Sequence, residues 1–188
     1  LNDDEIAGGT GFGTHPHEEM EIISIILDGE MSHQDTMGND ITIKTDEVQR
    51  MTAGTGLQHS EWNNGQKPVS FFEIWLLPEQ KNLSPSYDQK SFLKEDWENR
   101  LTPIATNKAS DKAVSLNTTA DIYRANLDPG KIVNHKQNSD HYSFLYLIKG
   151  QLDLNGQVIG KRDQARISDE DSLSIKALEE SDFILITT

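Results

Sequence analysis

Cysteine is absent from the 188-residue chain, which excludes disulfides, thiolate zinc sites, iron–sulfur clusters and a cysteine nucleophile. Such a composition fits a reducing compartment. No run reaches the roughly 18 apolar residues of a membrane helix. The longest block, Ile22–Leu27, is strand-sized and is interrupted by Ser24. A basic, apolar leader is missing too. Basic residues are scarce: 17 Lys and Arg stand against 31 Asp and Glu, a formal net charge of -14. Such a surface repels phosphate backbones and disfavours a polyanionic substrate. The expectation is a soluble, cytoplasmic protein with neither nucleic acid nor membrane as a partner. Methionine does not begin the chain; Leu1 does, which suggests a trimmed start.

Long helical periodicity is also lacking. Short β-branched blocks are separated by turn signals every 8–12 residues, which predicts an all-β sandwich or barrel. Asp28-Gly29 reads as a hairpin turn between Ile22–Leu27 and Glu30–Asp35, and Gly38-Asn39 as another before Ile41–Lys44. Val48–Thr52 leads to the loop Ala53-Gly54-Thr55-Gly56, and Ser70–Leu77 is the strongest strand of the first half. Between Pro78 and Asp111 alternation disappears, so this stretch reads as a connector with one helical turn near Lys94–Asn99. Strand patterning then resumes, with Lys149-Gly150 and Asn155-Gly156 as further turns.

The halves form a degenerate repeat. Ile26-Leu27-Asp28-Gly29-Glu30 aligns with Leu147-Ile148-Lys149-Gly150-Gln151 at an offset of 121. That offset sets Lys136 against His15 and Asn138 against His17, and no histidine follows His141. Any histidine site therefore belongs to the first half.

His15 and His17 are two apart, as are His59 and Glu61. On a strand, residues i and i+2 share a face with Cα atoms ~6.6 Å apart, so each pair can converge on one ion. Gly11-Phe12-Gly13 and Gly54-Thr55-Gly56 adjoin the two pairs and permit close backbone approach. Pro16 cannot donate to a ladder, which places its strand at an edge or entry. Three imidazoles and a carboxylate suit Fe(II), Mn(II), Ni(II), Cu(II) or Zn(II). Glu21 lies an even number of residues from His17, and strict alternation sets it on the same face as a further ligand or a base behind the ligands. His33 reads as a solvent-facing hairpin residue or as a neighbour of the ligands. His135 and His141 read as loop residues, and Phe71, Phe72 and Trp75 as core, with a pocket wall as the alternative for one of the three.

Gly11-Phe12-Gly13-Thr14-His15-Pro16-His17, Leu27-Asp28-Gly29, His33-Gln34-Asp35, Gly38-Asn39 and the run from Met51 to Glu61 closely resemble the pirin family of bicupins. The resemblance covers most of residues 1–92, and the second half resembles the family's metal-free C-terminal cupin. It implies two jelly-roll-like cupin β-barrels packed together: residues 1–92 as the metal-binding barrel, and 93–188, connector included, as the metal-free one. Family members begin some tens of residues earlier, which implies that the first barrel lacks its opening strands in this chain.

The resemblance further implies iron or a similar divalent metal held by His15, His17, His59 and Glu61, with Fe(II) first and Mn, Ni, Cu or Zn as alternatives. It implies a quercetin 2,3-dioxygenase-like enzyme that opens a flavonol, or a related neutral aromatic or enediol compound, with dioxygen and loss of carbon monoxide. Glu61 would be both ligand and base. The alternative is a metal-loaded regulatory module with a protein partner and no catalysis. A structural zinc site is disfavoured because closed sites prefer Cys.

Overall fold

Alternating apolar residues and glycine turns produce nineteen strands and one short helix among the described residues. A computed structural model describes residues 1–137 and 140–188. The predicted equivalence of Asn138 with His17 lies outside them. The chain divides into two units, residues 1–92 with 107–119 and residues 93–106 with 120–188. The segment Asn107–Thr119 thus lies with the first unit, whereas the sequence reading ended that unit at residue 92.

In the first unit the strands are β1 (Asn2–Ile6), β2 (Gly11–His17), β3 (Glu21–Asp28), β4 (Glu30–Asp35), β5 (Asp40–Lys44), β6 (Glu47–Thr52), β7 (Leu57–Trp62), β8 (Val69–Leu76) and β9 (Ser86–Ser91). One sheet runs β1-β8-β3-β6-β9 and the other β2-β7-β4-β5. Ile6, Ile26, Val69 and Phe71 from the first sheet pack with Met31 and Ile43 from the second. Ile22, Met51, Ala53 and Leu57 form a second apolar cluster. The expected closed barrels are not formed: both sheets are open, and they meet through side chains rather than through an unbroken ladder.

Asp28-Gly29 is not a hairpin. Glu30–Asp35 pairs with β5 and β7, not with β3. Gly29, at φ +89°, carries the chain from one sheet to the other where a Cβ would approach Val69. The predicted connector also contains strand β9, which pairs with β6 throughout its length. Its sequence, SYDQKS, is polar because Tyr87 and Gln89 meet buried polar groups, so hydrophobic alternation could not reveal it.

The second unit opens with α1 (Lys94–Trp97) and β10 (Thr102–Thr106), while β11 (Val114–Ser115) belongs to the first. Its remaining strands are β12 (Asp121–Leu127), β13 (Ile132–Lys136), β14 (Ser143–Lys149), β15 (Gln151–Leu154), β16 (Gln157–Gly160), β17 (Gln164–Ile167), β18 (Ser172–Ala177) and β19 (Ser181–Thr187). They are ordered β10-β12-β19-β14-β17 and β13-β18-β15-β16, again open.

Gly150 repeats the role of Gly29: at φ +91° its missing Cβ would collide with the Glu180 carbonyl. Leu145, Leu147, Leu152, Leu154, Leu173, Ile175 and Phe183 fill this unit's interior. Leu154 stands where the 121-residue offset places His33. His135 is a strand residue in β13, its ring 5.1 Å from that of Tyr123, not the loop residue expected. No helix among the described residues is long and apolar enough to cross a membrane.

Candidate metal centre

The small sheet of the first unit brings the histidines together. β7 lies between β2 and β4, and alternation turns Leu57, His59 and Glu61 inward while Gln58 and Trp62 are exposed. Edge strand β2 pairs with β7 so that His15 faces His59 and His17 faces Leu57. On the other side His33 faces Glu61, and Asp35 faces His59. Pro16 therefore sits on the edge strand its missing N–H requires.

Ring centroids lie 4.4 Å apart for His15 and His59, 5.0 Å for His17 and His59, and 5.0 Å for His15 and His17. Donor atoms of His15, His17 and His59 all lie within 4.8 Å of one another, and so do those of His33, His59 and Glu61. The four predicted ligands thus divide between two triads that share His59. Glu61 lies beside His59 and His33 but outside the mutual cluster of the other two histidines.

Buried polar atoms normally have partners. Here His17 Nε2, His33 Nδ1, both ring nitrogens of His59 and Glu61 Oε1 have none. Leaving so many lone pairs buried and unmatched is costly unless a cation accepts them. The residues therefore fit a divalent ion. His15 is already oriented for one: its Nδ1 lies 2.8 Å from the Gly13 carbonyl, so Nδ1 donates there and Nε2 keeps its lone pair.

Electrostatics agree. Burial drives the His59 pKa down to about 3, with repulsion from His15, His33 and His17 adding to the effect. Burial likewise lowers that of His17, with His15 adding. Both are neutral imidazoles at pH 7, as metal ligands must be. Burial raises Glu61 to about 8, helped by the charges of Glu73 and Asp4.

Two predicted residues are placed differently. His33 is not solvent-facing: its relative exposure is 0 %. Strand β4 lies between β7 and β5 in the sheet, and alternation turns His33 inward together with Met31. Its Nε2 lies 3.1 Å from Asp35 Oδ2. Asp35 also accepts from the Met37 and Asn39 amides and from Asn39 Nδ2. Although burial pushes Asp35 up, these hydrogen bonds outweigh it and hold the carboxyl below its usual range.

Glu21 is buried but stands apart from both triads. Its oxygens accept from the Asn117 amide and side chain at 3.2 and 3.3 Å. Between His17 and Glu21 the chain changes sheets through Glu19, at φ 50°, so the parity count does not carry across.

Glu73, Tyr87 and Gln49 went unnoticed in the sequence as site residues. Glu73 faces inward between Phe71 and Trp75, and burial raises its pKa, with a hydrogen bond from Trp75 opposing. A lone acid on the inward parity of SFFEIW was the signal. Tyr87 lies 5.3 Å from the His33 ring, with its hydroxyl 3.1 Å from Gln49 Oε1. Neither Tyr87 nor Gln49 carried a recognisable pattern. Trp75, expected in the core, is 50 % exposed, and its ring lies 5.5 Å from that of His17. Phe71 and Phe72 are fully buried, as expected of core residues. A cleft of about 610 Å³, lined partly by Pro16, His17, Thr36 and Gln58, reaches the centre at His17.

Comparison with known proteins gives a consistent picture. The Pirin family profile matches residues 1–76, and the profile of the quercetinase C-terminal cupin domain matches residues 103–187. The chain is 36% identical to a pirin-like protein of Caulobacter vibrioides, over 98% of this chain and 80% of that protein. It is 33% identical to a quercetin 2,3-dioxygenase of Escherichia coli K12, over 98% of this chain and 79% of that protein. Among solved structures it resembles the Escherichia coli bacterial pirin YhhW in complex with nickel(II). The TM-score there is 0.92 and the identity 32%, covering 98% of this chain and 79% of that one.

Proposed function

Because the chain belongs to the pirin family, we propose that it is a metal-dependent dioxygenase acting on a flavonol such as quercetin, or on a related neutral aromatic or enediol compound. The observation that carries this reading is the set of buried, unpartnered donors on His17, His59 and Glu61. His15, His17, His59 and Glu61 would hold the ion. Fe(II) is favoured, and Mn, Ni, Cu and Zn are the alternatives the donor chemistry admits. When bound, the ion supplies Lewis-acid and redox chemistry and leaves open positions that four protein ligands do not fill.

Glu61 acts as the base. Its Oε1 is free of protein partners, and burial makes the carboxylate a strong proton acceptor, so it takes the proton of the substrate's enolic hydroxyl. The cation opposes this rise and keeps Glu61 ionised until substrate arrives. His15, His17 and His59 hold the ion without transferring protons, His17 and His59 as neutral imidazoles. Trp75, exposed beside His17, offers an aromatic face on which a planar substrate stacks. A net charge of -14 favours a neutral substrate over a phosphorylated one.

The test follows quercetin absorbance with Fe(II)-loaded protein in air and under argon. Oxygen-dependent loss that disappears in His59→Ala is expected. An iron-loaded chain inert toward a panel of flavonols, catechols and enediols would instead support a regulatory module whose acidic surface meets a basic protein partner.

A further inference from the structure

His33 is a fully buried histidine that lies outside the four-ligand set, and its surroundings leave one of its nitrogens without an occupation. Asp35 is ionised and accepts only, so the His33 Nε2 facing it must carry the proton. Nδ1 therefore holds a bare lone pair, buried and with no hydrogen-bond partner. A carboxylate that fixes one ring nitrogen and frees the other for an ion is the usual device for orienting a metal-binding histidine. The hydrogen bond to Asp35 accounts for one of the two ring nitrogens and leaves the other without a protein partner.

The neighbours of His33 are themselves donors. It stands opposite Glu61 in the β4–β7 register, and its ring lies 5.4 Å from that of His59. Donor atoms of the three residues fall within 4.8 Å of one another. Three ligands sharing one ion at ~2.0–2.2 Å lie roughly 3–4 Å from one another, a spacing that small side-chain rotations would reach from the separations seen here. Exposure separates the two triads: His33, His59 and Glu61 are at 0, 1 and 1 %, whereas His15 and His17 are only partly buried.

We propose that His33 is a further metal donor, forming with His59 and Glu61 an inner position that overlaps the outer one made by His15, His17 and His59. The inference rests on the metal reading above and deepens it. One ion then has two positions that share His59. The outer one lies at the rim beside Trp75, open to substrate. The inner one is closed, supplies a carboxylate and two imidazoles, and leaves the rim histidines free. Tyr87 and Gln49 form the wall behind it. Only one ion fits at a time, since both positions use His59.

The test removes the outer pair and counts the ligands that remain. Co(II) is added to the full chain carrying His15→Ala and His17→Ala, with and without His33→Gln, and folding is checked by circular dichroism and thermal unfolding. Should the alanine pair not fold, His15→Gln with His17→Gln is read in the same way.

The pair variant is expected to bind one Co(II), on the order of 100-fold more weakly than the parent chain. Its proton NMR spectrum should show two strongly shifted exchangeable imidazole N–H signals, one of them from the His33 N–H that faces Asp35. Adding His33→Gln should weaken binding at least about ten-fold further and remove one of those signals. The proposal is overturned if the folded pair variant takes up no Co(II), or if it shows a single shifted N–H and the same affinity whether or not His33 is present. In either case a parent chain that still binds Co(II) leaves the four-ligand reading standing. A parent chain that binds none removes both.

Discussion

His15 on β2 stands opposite His59 on β7 because β2 carries one extra residue. Phe12 pairs with Glu61 and His15 with His59, so three steps on β2 match two on β7. Such a bulge reverses the parity of the strand beyond it. Without it, Thr14 and Pro16 would face the interior, and both rim histidines would point to solvent.

Deleting Thr14 should therefore restore a regular ladder, with Gly13 opposite Ser60 and His15 still opposite His59, so that both rim histidines keep facing the interior. Metal affinity is expected to stay within about ten-fold of the parent, and the far-ultraviolet circular dichroism of this all-β chain to stay unchanged. Isothermal titration with Ni(II) reads the first and the spectrum reads the second. A fall of about 100-fold or more would mean that the register does not by itself set the way the two histidines face.

Metal uptake should release a proton from Glu61. Its pKa of about 8 in the metal-free chain keeps it neutral at pH 7, whereas ligation needs the carboxylate. Because His59 and His17 are already neutral there, the logarithm of the affinity should climb by about one per pH unit between pH 6.5 and 8 and then level off. Titrations in buffers of different ionisation enthalpy count the proton. In Glu61→Gln the slope from this group should vanish; an unchanged slope would assign the proton elsewhere.

The metal-free chain should be most stable in mildly acid solution. Glu61 binds its proton more tightly folded than unfolded, so its contribution is fully present below its ordinary value of 4.5 and is lost as pH rises toward about 8. His59 has the opposite sign: folded, it resists protonation, and stability is lost as pH falls from 6.5 toward about 3. Urea midpoints of chelator-treated protein should thus be highest between pH 4.5 and 6.5 and decline toward pH 8.5. Saturating metal should reverse the decline on the alkaline side. A midpoint that rises steadily to pH 8.5 without metal would contradict the burial of a neutral Glu61.

Arg50 fastens the segment Asn107–Thr119 to the first unit. Its buried guanidinium donates to the Ser115 carbonyl and hydroxyl, both at 2.7 Å, to Thr52 Oγ1 at 2.9 Å and to Ser86 Oγ at 2.6 Å. Arg50→Met leaves those acceptors unmatched and should destabilise the chain by about 3 kcal/mol. Limited proteolysis near Ser115 should accelerate in parallel. A change below about 0.5 kcal/mol would show that the clasp is dispensable.

How far the sequence could be read depended on the range of the interaction involved. The strands around His15 and His59 were legible because alternation and glycine turns are local. Strand β9 was not, since its inward residues Tyr87 and Gln89 are polar and match a polar interior. Asp28-Gly29 had the composition of a hairpin, yet only the choice of partner strand distinguishes a hairpin from a crossing between sheets. The same limit misled the parity count from His17 to Glu21, which ignored the change of sheet at Glu19.

By itself, the sequence determined that His15 with His17, and His59 with Glu61, form pairs on one strand face, because a strand's period of two is a property of the backbone. It also determined that the second half has no counterpart of His59. Tertiary structure alone decided that the pairs meet, that His33 is buried beside them, and that Glu21 instead faces Asn117. Those outcomes depend on which strands become neighbours, and neighbours are selected by hydrogen-bond register and shared core across dozens of residues, not by the composition of any one segment.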